Sequence, residues 1–286
     1  MKLSLIVVNW NTVDLLRQTL RSVVSTGITD SYELIVIDNH SADESVDMVR
    51  NEFPEVTLIV NSENRGFSKA NNQGMAIAKG EYLCLLNSDT IVKEGAIQTL
   101  VHYLDTHPDV MMVGPRLLNA DGSFQHSCRR RLPTPTNSFY HLFGFAALFP
   151  NHKKITAYKQ YAEDPNSTGS VEAISGAAMM FRRHVYETIG GLDEQFFMYG
   201  EDLDFCKRVK DKGWKTVYVA DAVIVHLNGG SSKKRRRASI MNFYDAMWLY
   251  YKKHFKETHP FPVQAIIWLG IHVRKQIALL FQRNKK

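Results

Sequence analysis

Over the first 120 residues, short apolar runs alternate with stretches whose apolar positions recur at helical spacing. Residues 3–8 are apolar apart from Ser4 and include three β-branched side chains, the pattern of a strand buried on both faces. Leu15, Leu16, Leu20, Val23 and Val24 then mark a helix over 14–24. The alternation continues with strands at 34–37, 56–60 and 82–86, and with helices at 43–50, 68–78 and 96–104. Gly80 and Pro108 supply stop signals behind the last two helices. This spacing requires crossover connections and predicts an α/β fold with a mostly parallel sheet. Residues 119–170 break the pattern and suggest an insertion or a substrate-side loop region. Beyond it come an apolar segment at 173–181, a helix at 202–210 and a strand at 216–225. An aromatic helix at 241–255 and a final helical pattern at 266–281 complete the chain.

Ligands of such sheets bind beyond the C-terminal ends of the strands. In this chain those ends carry Asn9-Trp10-Asn11, Asp38-Asn39, residues 61–66 and Asn87-Ser88-Asp89, all polar. Asp89 suits a divalent cation, because Mg²⁺ and Mn²⁺ take oxygen ligands and need few carboxylates when substrate phosphates complete the shell. It equally suits a turn or a helix cap ahead of Glu94-Gly95-Ala96. Glu201, Asp202 and Asp204 gather three carboxylates in four residues. They fit either the positive end of a helix or a general base for an incoming hydroxyl. His226 closes the strand at 216–225 and precedes Asn228-Gly229-Gly230-Ser231-Ser232; it reads as a polar loop residue, a metal ligand or a phosphate contact.

Composition adds limits. With 286 residues, 44% of them hydrophobic, the chain can bury a core without disulfides or a structural metal. Its three cysteines have no metal-ligand spacing and are expected to be reduced thiols in a cytoplasmic setting. We expect neither a signal peptide nor a membrane span; the longest apolar candidate, 263–273, is too short. The net charge of +6 is concentrated in Arg129-Arg130-Arg131, Lys233 to Arg237 and the C-terminus. Such blocks are solvated faces or meet anionic partners, including a membrane surface. Nucleic acid is not expected, since no recognition module accompanies them. The segment after the first strand lacks a glycine-rich phosphate loop. That argues against a dinucleotide dehydrogenase and against the main enzymatic alternative, a nucleotidyltransferase that makes nucleotide sugars. A non-catalytic nucleotide-sugar binder is a further alternative, disfavoured by the acidic motifs.

Six motifs occur in order: residues 4–11 (SLIVVNWN), 36–43 (VIDNHSAD), 64–74 (NRGFSKANNQG), 86–90 (LNSDT), 175–178 (SGAA) and 191–208 (GLDEQFFMYGEDLDFCKR). Together they resemble family 2 glycosyltransferases of the GT-A fold, in the rhamnosyltransferase-like branch that builds bacterial surface polysaccharides. The resemblance spans roughly residues 3–255 and implies a Rossmann-like, mostly parallel sheet with a C-terminal helical tail. It implies a GT-A domain at 1–232, split into a nucleotide-sugar half (1–118) and an acceptor half (119–232), followed by a basic, aromatic helical extension at 233–286. By the same resemblance, Asn9, Asn11, Asp38, Arg65, Asn87 and Ser88 face the nucleotide. Asp89 and His226 hold Mg²⁺ or Mn²⁺, with Asn87 standing where many relatives have the first acid of an Asp-X-Asp motif. Asp202 is the catalytic base, and Gly176, Ala177 and Glu201 lie on the acceptor side. The implied partners are a nucleoside-diphosphate sugar, with dTDP-rhamnose the leading expectation, and a glycan or lipid-linked glycan. The implied setting is the cytoplasm, with peripheral contact on an anionic membrane, and a homodimer is left open.

Overall fold

The computed structural model describes residues 1–142, 163–227 and 236–283. The predicted alternation is present. Strand β1 (Leu3–Asn9) leads to helix α1 (Val13–Ser25), β2 (Tyr32–Asp38) to α2 (Ser45–Glu52), and β3 (Thr57–Val60) to α3 (Phe67–Ile77). Next come β4 (Tyr82–Asn87), a short β5 (Thr90–Val92), α4 (Ala96–Thr106) and β6 (Val110–Leu118). After β7 (Arg129–Arg130) and α5 (Pro135–Leu142), β8 (Gly169–Val171), β9 (Ala173–Ile174) and β10 (Ala178–Arg182) follow. The rest is α6 (Arg183–Ile189), α7 (Glu201–Asp211), β11 (Lys215–His226), α8 (Arg236–His254) and α9 (Phe261–Arg283).

The central sheet has the order β3-β2-β1-β4-β10-β6-β11-β5, with β8 paired to β11. Pairings β1–β2, β1–β4, β2–β3 and β6–β11 are parallel, while β10 runs antiparallel to both β4 and β6. Six strands (β1, β2, β3, β4, β6 and β11) therefore run the same way, and the C-terminal ends of β1, β2 and β4 share one edge. Register makes this exact to the residue: Asn9 lies opposite Asp38, and Val8 opposite Asn87. One apolar core joins one sheet face to α1, α2 and α4; a second joins the other face to α3, α6 and α7. Strands covered on both faces explain why β1 and β4 are mostly apolar rather than alternating.

Strand β6 was not anticipated. Its Gly114 and Pro115 interrupt the apolar run, and a proline normally argues against a central strand. Here the β10 pairing of β6 spans Met112 and Val113 only, and the β11 register slips next to Pro115, between Val219 and Val223. The missing N–H thus falls where the ladder is already irregular. The three cysteines are free and buried, and burial pushes the Cys84 and Cys206 thiols up to about 12 and Cys128 to about 11, which makes them poor nucleophiles.

The C-terminal helices are tied to α7 by a buried charge cluster. Asp204 is fully buried and pairs with Arg208 on its own helix and with Lys253 and His254 of α8. Burial pushes its carboxyl up, but hydrogen bonds from His254 and Lys253 and the charge of Arg208 outweigh it, lowering the group to about 2. A depressed carboxylate contributes stability above the ordinary value near 4 and loses it as pH falls toward about 2. Asp204→Ala is expected to destabilise the protein by about 3 kcal/mol at pH 7, since it removes the fully buried carboxylate that links α7 to α8 through three partners. Thermal melts at pH 7 and pH 3 check this: the gap between wild type and variant should shrink at the lower pH.

Candidate active site

The turn Asn87-Ser88-Asp89 links β4 to β5 at the C-terminal edge. It does not cap α4, whose N-cap is Gly95. Because β5 pairs antiparallel with β11, Thr90 sits opposite His226, which brings the end of β11 onto the turn. His226 Nε2 lies 3.2 Å from Asp89 Oδ1 and 3.4 Å from Asn87 Nδ2. The orientation of the imidazole is set from behind. Gln125 Nε2 donates to Asn119 Oδ1 at 3.0 Å, so Gln125 Oε1 is the atom that faces His226 Nδ1 at 2.9 Å. Nδ1 therefore carries a proton and donates, and Nε2 is the ring nitrogen that faces the turn. Asn87 Oδ1 is also buried there without a hydrogen-bond partner. A carboxylate, an imidazole nitrogen and an amide oxygen in one corner fit a Mg²⁺- or Mn²⁺-sized cation whose shell is completed by phosphate oxygens. Among the described residues no cluster of three or more His, Cys, Asp or Glu side chains forms a self-sufficient metal cage.

Beside this corner the strand ends are cross-linked. Asn9 Nδ2 donates to Asp38 Oδ2 at 3.1 Å, and Asp38 Oδ1 accepts from Ser41 N at 2.9 Å. Thr12 Oγ1 donates to Asn9 Oδ1 at 2.7 Å and lies 3.2 Å from Ser88 Oγ. Asn39 bonds Asn64, Asn61 and the backbone of Arg65 and Gly66. Gly66 has φ +81°, and a Cβ there would sit 2.7 Å from the Phe197 carbonyl oxygen. Only glycine lets this loop close against the segment before α7. Three non-glycine residues with positive φ, Asn11, His40 and Tyr199, ring the same edge, the kind of strained backbone that surrounding contacts must hold in place.

The third component is the start of α7. Asp202 accepts from Gly176 N at 3.2 Å and from its neighbour Leu203 N at 2.8 Å, and is ion-paired with Arg130 of β7. A Cβ on Gly176 would stand 3.3 Å from Asp202 Cβ, so this glycine lets the β9–β10 segment approach the carboxylate. Glu201 is buried; desolvation, with the charge of Asp202 second, pushes its carboxyl up to about 8. Burial and the neighbouring carboxylate thus both favour the protonated form of Glu201.

These parts face a common cleft of about 490 Å³. Of the residues expected from the sequence, Asn87, Ser88, Asp89, Gly176, Ala177, Glu201, Asp202 and His226 line it. Asn9 and Asp38 lie beneath its floor, bonded to each other and essentially inaccessible, with exposures of 0% and 1%. Asn11 accepts from Ala42 N through its side chain, and neither Asn11 nor Arg65 is among the lining residues. Asn39, which adjoins Asp38 in the sequence, reaches the wall instead, with Trp10, Thr12, Asn64, Phe67 and Tyr199. Gln125 and Arg130 went unnoticed as site residues: their partners are 101 and 72 positions away, and no local spacing announces such contacts. The Arg129–Arg131 block is not a solvated face. Arg129 is buried over the Tyr218 ring at 4.8 Å and donates to the Glu163 carbonyl, Arg130 holds Asp202, and Arg131 alone is exposed. Residues 228–235, with the glycine-serine loop and most of the second basic block, lie outside the described residues.

The protein-family model described as "Glycosyltransferase like family 2" matches residues 2–242. Among similar proteins is an N-acetylglucosaminyl-diphospho-decaprenol L-rhamnosyltransferase of Mycobacterium tuberculosis, 29% identical over 68% of this chain. The alignment covers 66% of that relative, just under two thirds of its length. The O-antigen chain rhamnosyltransferase RfbN of Salmonella typhimurium is 25% identical over 79% of this chain and 66% of its own. Among solved structures, a mannosyltransferase from Pyrobaculum calidifontis, in complex with GDP-Man and Mn²⁺, superposes with a TM-score of 0.59 at 17% identity, covering 97% of this chain and 72% of that one. TarS of S. aureus, residues 1–349, gives a TM-score of 0.58 at 16% identity over 96% and 71% of the two chains. These likenesses establish the GT-A type of fold that the sequence motifs implied.

Proposed function

The chain belongs to glycosyltransferase family 2, and from that premise we propose that it transfers a sugar from a nucleoside diphosphate to a hydroxyl of a glycan or lipid-linked glycan in surface polysaccharide synthesis, with inversion at the anomeric carbon. The observation that carries this reading is the shared cleft, which has the Asp89–His226 corner on one side and Asp202 on the other. Rhamnose from dTDP-rhamnose is our choice of sugar, supported by the rhamnosyltransferase names of two relatives. Residues 1–118 supply the donor side, residues 119–232 the acceptor side apart from His226, and the helices beyond form an extension.

In the proposed reaction the acceptor hydroxyl gives its proton to an oxygen of Asp202 and attacks the anomeric carbon. The bond between that carbon and the diphosphate oxygen breaks in line, and the nucleoside diphosphate leaves toward Asp89 and His226. Gly176 N and Leu203 N hold the carboxylate at a fixed angle. The upward shift of the Glu201 carboxyl disfavours a second negative charge beside the base. Asn9 and Asp38 act from below by fixing the strand ends on which Trp10, Thr12 and Asn39 meet the nucleotide. Asp89, His226 and the Asn87 amide oxygen would hold Mg²⁺ or Mn²⁺, which would neutralise charge developing on the departing diphosphate. The Mn²⁺ in the mannosyltransferase complex supports this choice of ion.

A donor-hydrolysis screen across nucleotide sugars, with Mn²⁺ or Mg²⁺, tests the proposal: release of nucleoside diphosphate from one or two donors is expected, and inertness toward all of them, alone and with glycan acceptors, would refute it. Gln125→Leu removes the acceptor that keeps the proton on His226 Nδ1. It is expected to weaken Mn²⁺ binding in the presence of nucleoside diphosphate about tenfold, measured by electron paramagnetic resonance of free Mn²⁺, with the fold unchanged by circular dichroism.

A further inference from the structure

The two oxygens of the Asp202 carboxylate are not equivalent. Oδ2 accepts from the Arg130 guanidinium and from Gly176 N. Among the described residues, Oδ1 takes a single hydrogen bond, 2.8 Å long, from Leu203 N of its own helix. A carboxylate oxygen has two lone-pair sites, so Oδ2 is filled and one site on Oδ1 stays open.

Both donors to Oδ2 come from one small sheet. β7 pairs antiparallel with β9, with Arg129 opposite Ile174 and Arg130 opposite Ala173. Ser175 N donates to the Cys128 carbonyl at 3.1 Å, which carries this pairing up to the residue before Gly176. The guanidinium is steered in turn by the Ile174 carbonyl, 3.4 Å from Arg130 Nη2. The sheet is also tied to α7 at a second point. Leu132 N donates to Glu172 Oε2 at 2.8 Å, and Lys210 of α7 holds Glu172 Oε1 at 2.6 Å.

The side chains of Arg130 and Asp202 are each only 13% exposed, so water screens the pair weakly. Asp202 lines both the donor cleft and a second cavity of about 500 Å³ between α7, α8 and α9. Arg130 lines the second cavity and not the cleft. The guanidinium therefore meets the carboxylate from the side away from the donor.

Resting on the glycosyltransferase reading above, we propose that Arg130 is a positioning residue for the base: it clamps Oδ2, so that Oδ1 is the oxygen that takes the acceptor proton. Arg130 acts through the carboxylate alone. Without it, Oδ2 keeps only the Gly176 bond, the carboxylate turns about its Cβ–Cγ axis, and the open site on Oδ1 loses its fixed direction into the cleft. A misplacement of about 1 Å costs on the order of 100-fold in rate.

The test compares wild type, Arg130→Ala, Arg130→Gln, Asp202→Asn and the double variant Arg130→Ala/Asp202→Asn in hydrolysis of the nucleotide sugar that the donor screen identifies. Arg130→Ala is expected to lower kcat about 100-fold while donor affinity stays within about twofold. In the Asp202→Asn background the same substitution should cost less than about twofold, because a residue that acts through the base has nothing left to act on. Arg130→Gln is closer in size to the native side chain and should match Arg130→Ala; it carries the test if the alanine variant melts early. Near wild-type kcat in the Arg130 variants, a loss that falls on donor affinity instead of kcat, or losses that multiply in the double variant would each overturn the proposal. Wild-type hydrolysis that is indifferent to Arg130 removes this inference alone. Absence of both hydrolysis and transfer in wild type removes the parent reading.

Discussion

Asp202→Asn is expected to lower sugar transfer by about 10³-fold while donor affinity stays within about twofold. The substitution keeps size and hydrogen-bonding shape but removes the basic oxygen. The neighbouring acids cannot replace it. Glu201 is buried, and desolvation with the charge of Asp202 pushes its carboxyl up, which disfavours the ionised form a base needs. Asp204 is fully buried and held by Arg208, Lys253 and His254, so its lone pairs are committed to the link between α7 and α8. Steady-state transfer rates, set beside the donor dissociation constant from titration calorimetry, give the two numbers needed. A variant that binds donor and still transfers at near wild-type rate would mean that another group is the base.

Asp89→Ala is expected to act on the other term. Donor affinity measured with Mn²⁺ should fall about 100-fold, and chelation should cause little further loss. In wild type, chelation should produce most of that loss by itself. The physical ground is the corner in which His226 Nε2 and a carboxylate oxygen lie 3.2 Å apart, with the Asn87 amide oxygen buried and unsatisfied beside them. Titration of donor into both proteins, with Mn²⁺ and with excess chelator, checks it. Equal donor affinity in all four conditions would remove the metal from the account.

Much of this was legible in the sequence because it is local. The apolar runs of β1 and β4, the helical spacing of α1 and the acidic turn after β4 each carry their signal within a few residues. From the sequence the turn reads as a cap or a ligand site; in the structure it does not cap α4, and the antiparallel β5–β11 pairing sets Thr90 opposite His226. That pairing joins residues over 130 positions apart, and local propensity does not encode it. Strand β6 is hidden in the sequence by Gly114 and Pro115; the ladder slips next to Pro115, and a Cβ at Gly114 would meet Ile174 at 2.8 Å. Arg130 looked like part of a solvated charge run, since a run of like charges says nothing about which member a distant carboxylate will capture. Asp38 illustrates the reverse case. A motif position marks it as a nucleotide contact; in the structure it is buried and bonded to Asn9 and Ser41, while Asn39 beside it lines the cleft.

The most direct test of a single displacement driven by Asp202 is the configuration of the newly formed bond. With the donor identified by the hydrolysis screen, the anomeric proton of the transferred sugar is followed by NMR during one turnover. The account predicts one inversion relative to the donor, because one base activates one hydroxyl opposite the diphosphate at Asp89 and His226. Retention of configuration would require a covalent sugar–enzyme intermediate or a front-face route, and would contradict it.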